Sequence, residues 1–184
     1  MTLSSMIMGL VTLISIGLLA LLGGCASPTV EAYKDNKPVF DVREYLNGKL
    51  IAFGTITDIK GEVIERFTAT LEGTWDKNSG TLKENFTYAD GHKEERIWTF
   101  KINEDGSFTG TAHDIIGEAK GRQMGNAVIM EYVLERDRNG SKTRFSMDDR
   151  LYLIDDTYLM NHTRIKKFGI TVATLDIGFQ KLKD

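Results

Sequence analysis

The sequence predicts an all-β protein, an up-and-down antiparallel barrel of about 8–10 strands entered through a short N-terminal helical turn. Three observations predict it. From Lys49 onward apolar residues recur at every second position, the period of a strand with one buried face. Turn dipeptides carrying glycine, Asp90-Gly91, Asp105-Gly106 and Asn139-Gly140, separate these runs at hairpin spacing. No long run of helical period intervenes and no proline follows Pro38, so neither parallel βαβ units nor interrupted ladders are expected.

The chain divides before the strands begin. It has 184 residues, with 23 Lys+Arg and 26 Asp+Glu, yet residues 1–24 contain no Asp, Glu, Lys, Arg or His. The run 6–22, MIMGLVTLISIGLLALL, is as long as the apolar core of a signal peptide or a short membrane span. It ends in Leu22-Gly23-Gly24-Cys25, which resembles a bacterial lipobox: an aliphatic residue, two small residues and a cysteine. The resemblance implies that 1–24 is a lipoprotein signal peptide and that Cys25 becomes the acylated first residue. Several acyl chains, at about 0.8 kcal/mol per buried methylene, make a stable anchor. Ala26, in place of the Asp that often retains lipoproteins at the inner membrane, implies an outer-membrane location facing the periplasm. Residues 1–5 carry no Lys or Arg, which leaves an uncleaved anchor as the other reading. Residues 25–39, rich in small, polar and Pro residues, read as a tether, and 40–184 as the barrel domain. Residues 40–46 form one helical turn closed by Asn47-Gly48.

Strands are expected near 49–57, 62–75, 80–90, 93–102, 106–113, 115–122, 126–136, 141–154, 157–165 and 169–181. The apolar face of the second carries Val63, Phe67, Ala69, Leu71 and Trp75. The next two present Leu82, Phe86 and Tyr88, then Trp98, Phe100 and Ile102. Later faces carry Val128, Met130, Tyr132 and Leu134, then Phe145, Met147, Leu151 and Leu153. Consecutive strands with one apolar face each are best satisfied by closing the sheet, which removes its edges. A membrane-spanning barrel is disfavoured by the charge density of these strands.

Composition narrows the chemistry. A net charge of -3 gives no basic footprint for nucleic acid. A single cysteine excludes a disulfide framework. His92, His113 and His162 are too widely spaced for a local metal motif, so neither a metal nor a cofactor is expected. The glycines of 117–121 lack the Gly-Lys-Ser/Thr ending of a phosphate loop.

Charged residues on apolar faces are the informative departures. Glu94 and Arg96 share the face of Trp98, and Glu84 that of Phe86. Asp149 falls with Phe145 and Met147, and Arg164 with Tyr158 and Met160. Arg96 admits two readings: a bidentate anchor for a lipid carboxylate or phosphate, or an internal pair with a carboxylate of the barrel. Asp148-Asp149 and Asp155-Asp156 each point to opposite faces, and Asp155 reads as a turn cap.

Gly73-Thr74-Trp75 resembles the Gly-x-Trp of lipocalins and related small barrels. The segments NGKLIAFG (47–54), GTAHDIIGEAKG (110–121), DDRLYLID (148–155) and NHTRIKKFG (161–169) resemble a family of uncharacterised bacterial lipocalin-like lipoproteins. The resemblance implies the barrel fold and brings no activity with it. The expected function is that of an outer-membrane lipoprotein binding a hydrophobic or amphipathic ligand, a fatty acid or lipid. Phe67, Leu71, Phe86, Tyr88, Trp98, Phe100, Tyr132, Phe145 and Met147 would line the site, with Arg96 as polar anchor. Glu84, Glu94, Asp149 and Arg164 are further polar cavity candidates. Two rivals stand beside it: a barrel enzyme using Glu84, Glu94 or Asp149 on lipid-derived substrates, and a structural or interaction lipoprotein with a filled barrel. Cavity volume separates the last from the others.

Overall fold

The computed structural model describes residues 27–138 and 140–183. The signal-peptide and lipidation readings, residues 1–24 and Cys25, lie outside the described residues. The body is a closed barrel of ten antiparallel strands in which every sequence neighbour is also a spatial neighbour and the first strand pairs with the last. They are β1 (Gly48–Asp58), β2 (Val63–Asp76), β3 (Ser79–Tyr88), β4 (Lys93–Ile102) and β5 (Ser107–Thr111). The second half comprises β6 (Ala119–Met124), β7 (Ala127–Arg138), β8 (Ser141–Leu153), β9 (Tyr158–Lys167) and β10 (Ile170–Lys181). The up-and-down barrel expected from the sequence is the one observed.

Short turns hold this order. Asp58, Asp90, Asp105 and Asp155 each turn a carboxylate back onto a backbone N–H two residues on, and Asp155 also takes that of Tyr158. Gly91 follows Asp90 with φ at +90°, a conformation that a side chain would resist.

One barrel end is closed. The turn α1 (Val42–Tyr45) is capped by Asp41, which accepts from Arg43 N at 2.9 Å, and it places Phe40, Val42, Tyr45 and Leu46 in the core. The C-terminal carbonyls of this turn are satisfied by Lys181, whose Nζ donates to Tyr45 O at 3.0 Å and Asn47 O at 2.9 Å. Gly73 on β2 lets the plug sit this close, since a Cβ there would lie 1.6 Å from Leu46 O.

Two expectations need correcting. Residues 25–39 are not a free tether over their described part, because 27–39 runs along the outer wall. Val30 is buried in a 3₁₀ turn (Val30–Tyr33), Tyr33 Oη lies 3.2 Å from Tyr152 Oη, and Pro28 O accepts from Arg150 at 2.8 Å. The apolar Val30 and Tyr33 gain a surface to cover, and the buried Arg150 gains an acceptor. Residues 112–118 also leave the ladder instead of continuing two long strands. Ile115 turns into the core and bridges to Leu134, while Ile116 N donates to Val133 O at 2.9 Å. The wall between β5 and β6 is thus completed by a loop. Among the described residues no helix is long and apolar enough to cross a membrane.

Candidate functional site: the barrel cavity

Inward residues of all the long strands enclose a cavity of about 780 Å³. Its lower part is apolar. Phe40, Val42 and Leu46 of the plug form the floor, and Leu82, Trp98, Phe100, Val128 and Leu159 form the walls. Trp98 stacks on Phe100 at 5.4 Å and meets Tyr132 edge-on at 5.4 Å, which fixes the aromatic wall. Phe67, Phe86, Tyr88, Phe145 and Met147 continue the lining toward the open end.

At mid-height the wall is polar. The register sets Glu84 of β3 opposite Arg96 of β4, and Asp149 of β8 opposite Met130 of β7 and Thr163 of β9. The Arg96 guanidinium is engaged by Asp114, which reaches in from the 112–118 loop. Nε lies 3.0 Å from Asp114 Oδ2, and Nη2 lies 2.7 Å from the same oxygen. Glu84 stands on the other side with Oε2 at 3.6 Å from Arg96 Nη1, beyond hydrogen-bond reach. Tyr132 Oη donates to Asp149 Oδ2 at 3.2 Å, and Thr163 Oγ1 donates to Asn161 at 2.8 Å. One oxygen of each buried carboxyl, Glu84 Oε2 and Asp149 Oδ1, accepts no hydrogen bond.

Burial dominates the ionisation of this belt. It pushes the Glu84 carboxyl up to about 7, against the opposing pull of Arg96 and Trp98. It pushes Asp149 up to about 6, against Thr163, Tyr132 and Arg96. The same burial, reinforced by Asp149, holds the Tyr132 phenol well above its ordinary value. Arg96 stays charged because its carboxylate neighbours outweigh its own desolvation. The site therefore holds two carboxyls whose pKa values burial raises, beside a guanidinium that gives its Nε and Nη2 to Asp114. Among the described residues no three His, Cys, Asp or Glu side chains stand together in a way that could hold a metal.

At the mouth, Glu94 accepts from Tyr88 Oη at 3.0 Å and from Arg136 Nη1 at 2.6 Å, tying β3, β4 and β7 together.

Residues 19–181 match a family described as Protein of unknown function (DUF3833). The chain belongs to this family. No curated protein matches it in sequence. Among solved structures, the DUF3833 barrel is similar to a protein of unknown function from the DUF3598 family of Nostoc punctiforme, with a TM-score of 0.55 and 12% identity. That match covers 86% of this chain and 53% of the other, so the chain spans about half the length of that neighbour. The S-type phycobiliprotein lyase CPES of Guillardia theta is similar at a TM-score of 0.57 and 11% identity, over 85% of this chain and 98% of that one. At these identities the likeness is one of fold.

The aromatic and aliphatic lining residues expected from the sequence all border the DUF3833 cavity, as do Arg96, Glu84 and Asp149. Two polar candidates do not. Glu94 belongs to the clamp at the mouth. Arg164 points out of the barrel, where Asp148 and Ser27 take its guanidinium. Strand β9 has the opposite facing to that expected: Leu159, Asn161, Thr163 and Ile165 line the cavity, while Tyr158, Met160, His162 and Arg164 face outward. His162 lies on that outer face, bonded to Asp176 at 2.7 Å. The period of two is present in β9, but the polar Asn161 and Thr163 face in and apolar side chains face out. Asp114, Arg136, Asn161 and Thr163 escape the sequence reading. Arg136 alone has a signal, sharing the parity of Tyr132 and Leu134.

A pH dependence follows. Carboxyls whose folded pKa is raised favour the folded state while protonated, and this contribution is lost as pH climbs from their unfolded values through about 6 and 7. Urea-unfolding stability of this DUF3833 protein is therefore expected to fall between pH 5 and 8 by about 4 kcal/mol. Glu84→Gln together with Asp149→Asn should flatten that decline. A wild-type profile already flat over this range would contradict it.

Proposed function

We propose that this protein is an acylated lipoprotein of the bacterial outer membrane, facing the periplasm, whose barrel takes up an amphipathic lipid. The observation that carries the reading is the volume: a barrel filled by its own side chains would have no cavity of about 780 Å³ behind an aromatic and aliphatic wall. The polar belt limits the head group. Arg96 gives Nε and Nη2 to Asp114, so a free carboxylate at this depth would find only Nη1 of the guanidinium and would meet the unbonded oxygens of Glu84 and Asp149 beside it. A lipid whose polar end donates hydrogen bonds, through a hydroxyl, amide or amine, fits better than an ionised fatty acid.

The test is native mass spectrometry and lipid extraction of the purified protein, followed by titration of the delipidated protein with alkyl alcohols while tryptophan emission is followed. One lipid per chain should be retained. Affinity should fall roughly tenfold for each two methylenes removed, at about 0.8 kcal/mol each. A protein that retains no lipid and shows no saturable emission change would overturn the proposal.

A second reading draws on the same belt. A carboxyl raised to about 7 beside a bound lipid has the ionisation of a general acid–base group, and Glu84 is that carboxyl. It predicts that a bound lipid is recovered chemically altered, and that Glu84→Gln abolishes the alteration while leaving lipid retention intact.

A further inference from the structure

Two neighbouring hairpins at the open end of the barrel are apolar where a soluble rim would be polar. The β1–β2 hairpin exposes Ile59 to 77%, Val63 to 54% and Ile64 to 61%, and the β9–β10 hairpin exposes Phe168 to 94% and Ile170 to 71%. These hairpins are neighbours, since Asp58 of β1 pairs with Ala173 of β10. Both carry a register shift close to the rim, at Ile56/Thr57 and at Thr171/Ala173. Such irregularities bend strands at barrel rims. Phe168 is the sharpest case. It sits at φ +52°, in the left-handed region that favours Gly or Asn, and bears an aromatic ring almost wholly in solvent. Neither folding nor solubility calls for that residue there. Ile64 also borders the cavity, so the apolar rim and the mouth are continuous.

The N-terminal strap leads to the same end. Tyr33 contacts Tyr152, Pro28 O binds Arg150, and Ser27 Oγ binds Arg164, which in turn holds Asp148. Followed backward, the chain thus climbs β8 from its closed-end terminus toward the mouth. Arg164 lies three positions from Lys167, the last residue of β9, a rise of about 10 Å. Cys25 precedes Ser27 by two residues, a reach of at most about 7 Å. Ser27, the first described residue, is therefore nearer the open mouth than Tyr33 is.

Charge distinguishes the β9–β10 tip from the closed-end turns. The exposed β9–β10 tip is led by Lys167, whose Nζ lies 5.8 Å over the Phe168 ring, while Lys166 before it is held by Asp148 at 2.9 Å. The closed-end turns carry Asp76, Glu104, Asp105, Asp155 and Asp156 against Lys77. An anionic bilayer attracts the Lys167 tip and repels the acidic closed-end turns.

We infer that the protein sits mouth-down on the membrane that holds its acyl chains, with the apolar tips of the β1–β2 and β9–β10 hairpins inserted among anionic lipid head groups. The inference rests on the proposed anchoring and lipid uptake, and it adds a route: the ligand passes between bilayer and cavity without crossing water. Aromatic and aliphatic tips beside lysines are the composition that binds at a lipid interface.

The experiment uses the full acylated protein in vesicles of phosphatidylethanolamine and phosphatidylglycerol. Nitroxides are attached at Phe168→Cys and Ile59→Cys and, as references, at Asn78→Cys and Glu104→Cys on the closed end. Oxygen accessibility relative to that of a water-soluble nickel chelate then reports depth. The rim sites should show a ratio several-fold above the references, and Lys167→Glu should lower it. Rim sites that read as aqueous while the protein floats with the vesicles would overturn the docking and leave the anchor standing. Failure to float would overturn both. Lipid retention by the purified protein is measured separately, so neither outcome is confused with failure of the binding reading.

Discussion

Arg96→Met is expected to remove about 3–5 kcal/mol of stability at pH 7.5, the range for breaking a buried ion pair from one side. Arg96 is the cation around which Glu84, Asp114 and Asp149 gather, and its side chain is only 16% exposed. Its removal leaves Asp114 without the guanidinium that holds it, and Glu84 and Asp149 without the charge that opposes their desolvation. The guanidinium also lies 5.7 Å over Phe86 and 5.9 Å over Trp98, contacts that methionine replaces only in part. The loss should shrink at pH 5, where Glu84 and Asp149 are protonated in the folded state and leave mainly Asp114 unpaired. Asp114→Asn on the Arg96→Met background should recover part of it. Urea midpoints at the two pH values measure both effects. An Arg96→Met protein as stable as wild type at pH 7.5 would mean that the belt does not brace the wall.

The same residue marks where the sequence stops being legible. Alternation and turn chemistry are local, so the strand succession, barrel closure and inward faces of β2, β3, β4, β7 and β8 can all be read directly. That Arg96 shares a face with Trp98 is visible too, and it leaves two partners possible. The choice between ligand and protein depends on Asp114, eighteen residues on, in a loop that alternation misreads as strand. Loops placed by tertiary contacts carry no period. Strand β9 fails for another reason. Asn161 and Thr163 face the cavity and satisfy each other there, while Met160 and Tyr158 are left half-exposed outside, so hydrophobicity assigns the wrong face. A polar cavity lining inverts the rule by which inward positions are found. The strap is hidden similarly: 27–39 has the composition of a linker and docks because Arg150, Tyr152 and Arg164 offer it partners.

Gly73→Ala should be among the most damaging single methyl additions in the protein, with a loss of at least about 3 kcal/mol. A Cβ at Gly73 would lie 1.6 Å from Leu46 O and 2.8 Å from Leu46 C, so it meets backbone and not a side chain that can rotate away. That backbone has little room to yield. Leu46 N is bonded to Val42 O, Lys181 holds the carbonyls of Tyr45 and Asn47, and Gly48 is in register with Gly73 itself. The plug must lift, and with it Phe40, Val42 and Leu46, the floor of the cavity. Gly178→Ala provides the control. There the added carbon meets Phe53 Cζ at 2.8 Å, the far end of a ring that is 60% exposed and free to swing outward, so about 1 kcal/mol or less is expected. The two variants also separate fold from function. Gly178→Ala should keep a bound lipid as wild type does, whereas Gly73→Ala, open at both ends, should release it faster even where it remains folded at low temperature. Thermal unfolding and the rate of lipid loss measure both, and equal behaviour of the two variants would mean that the plug does not seat against β2.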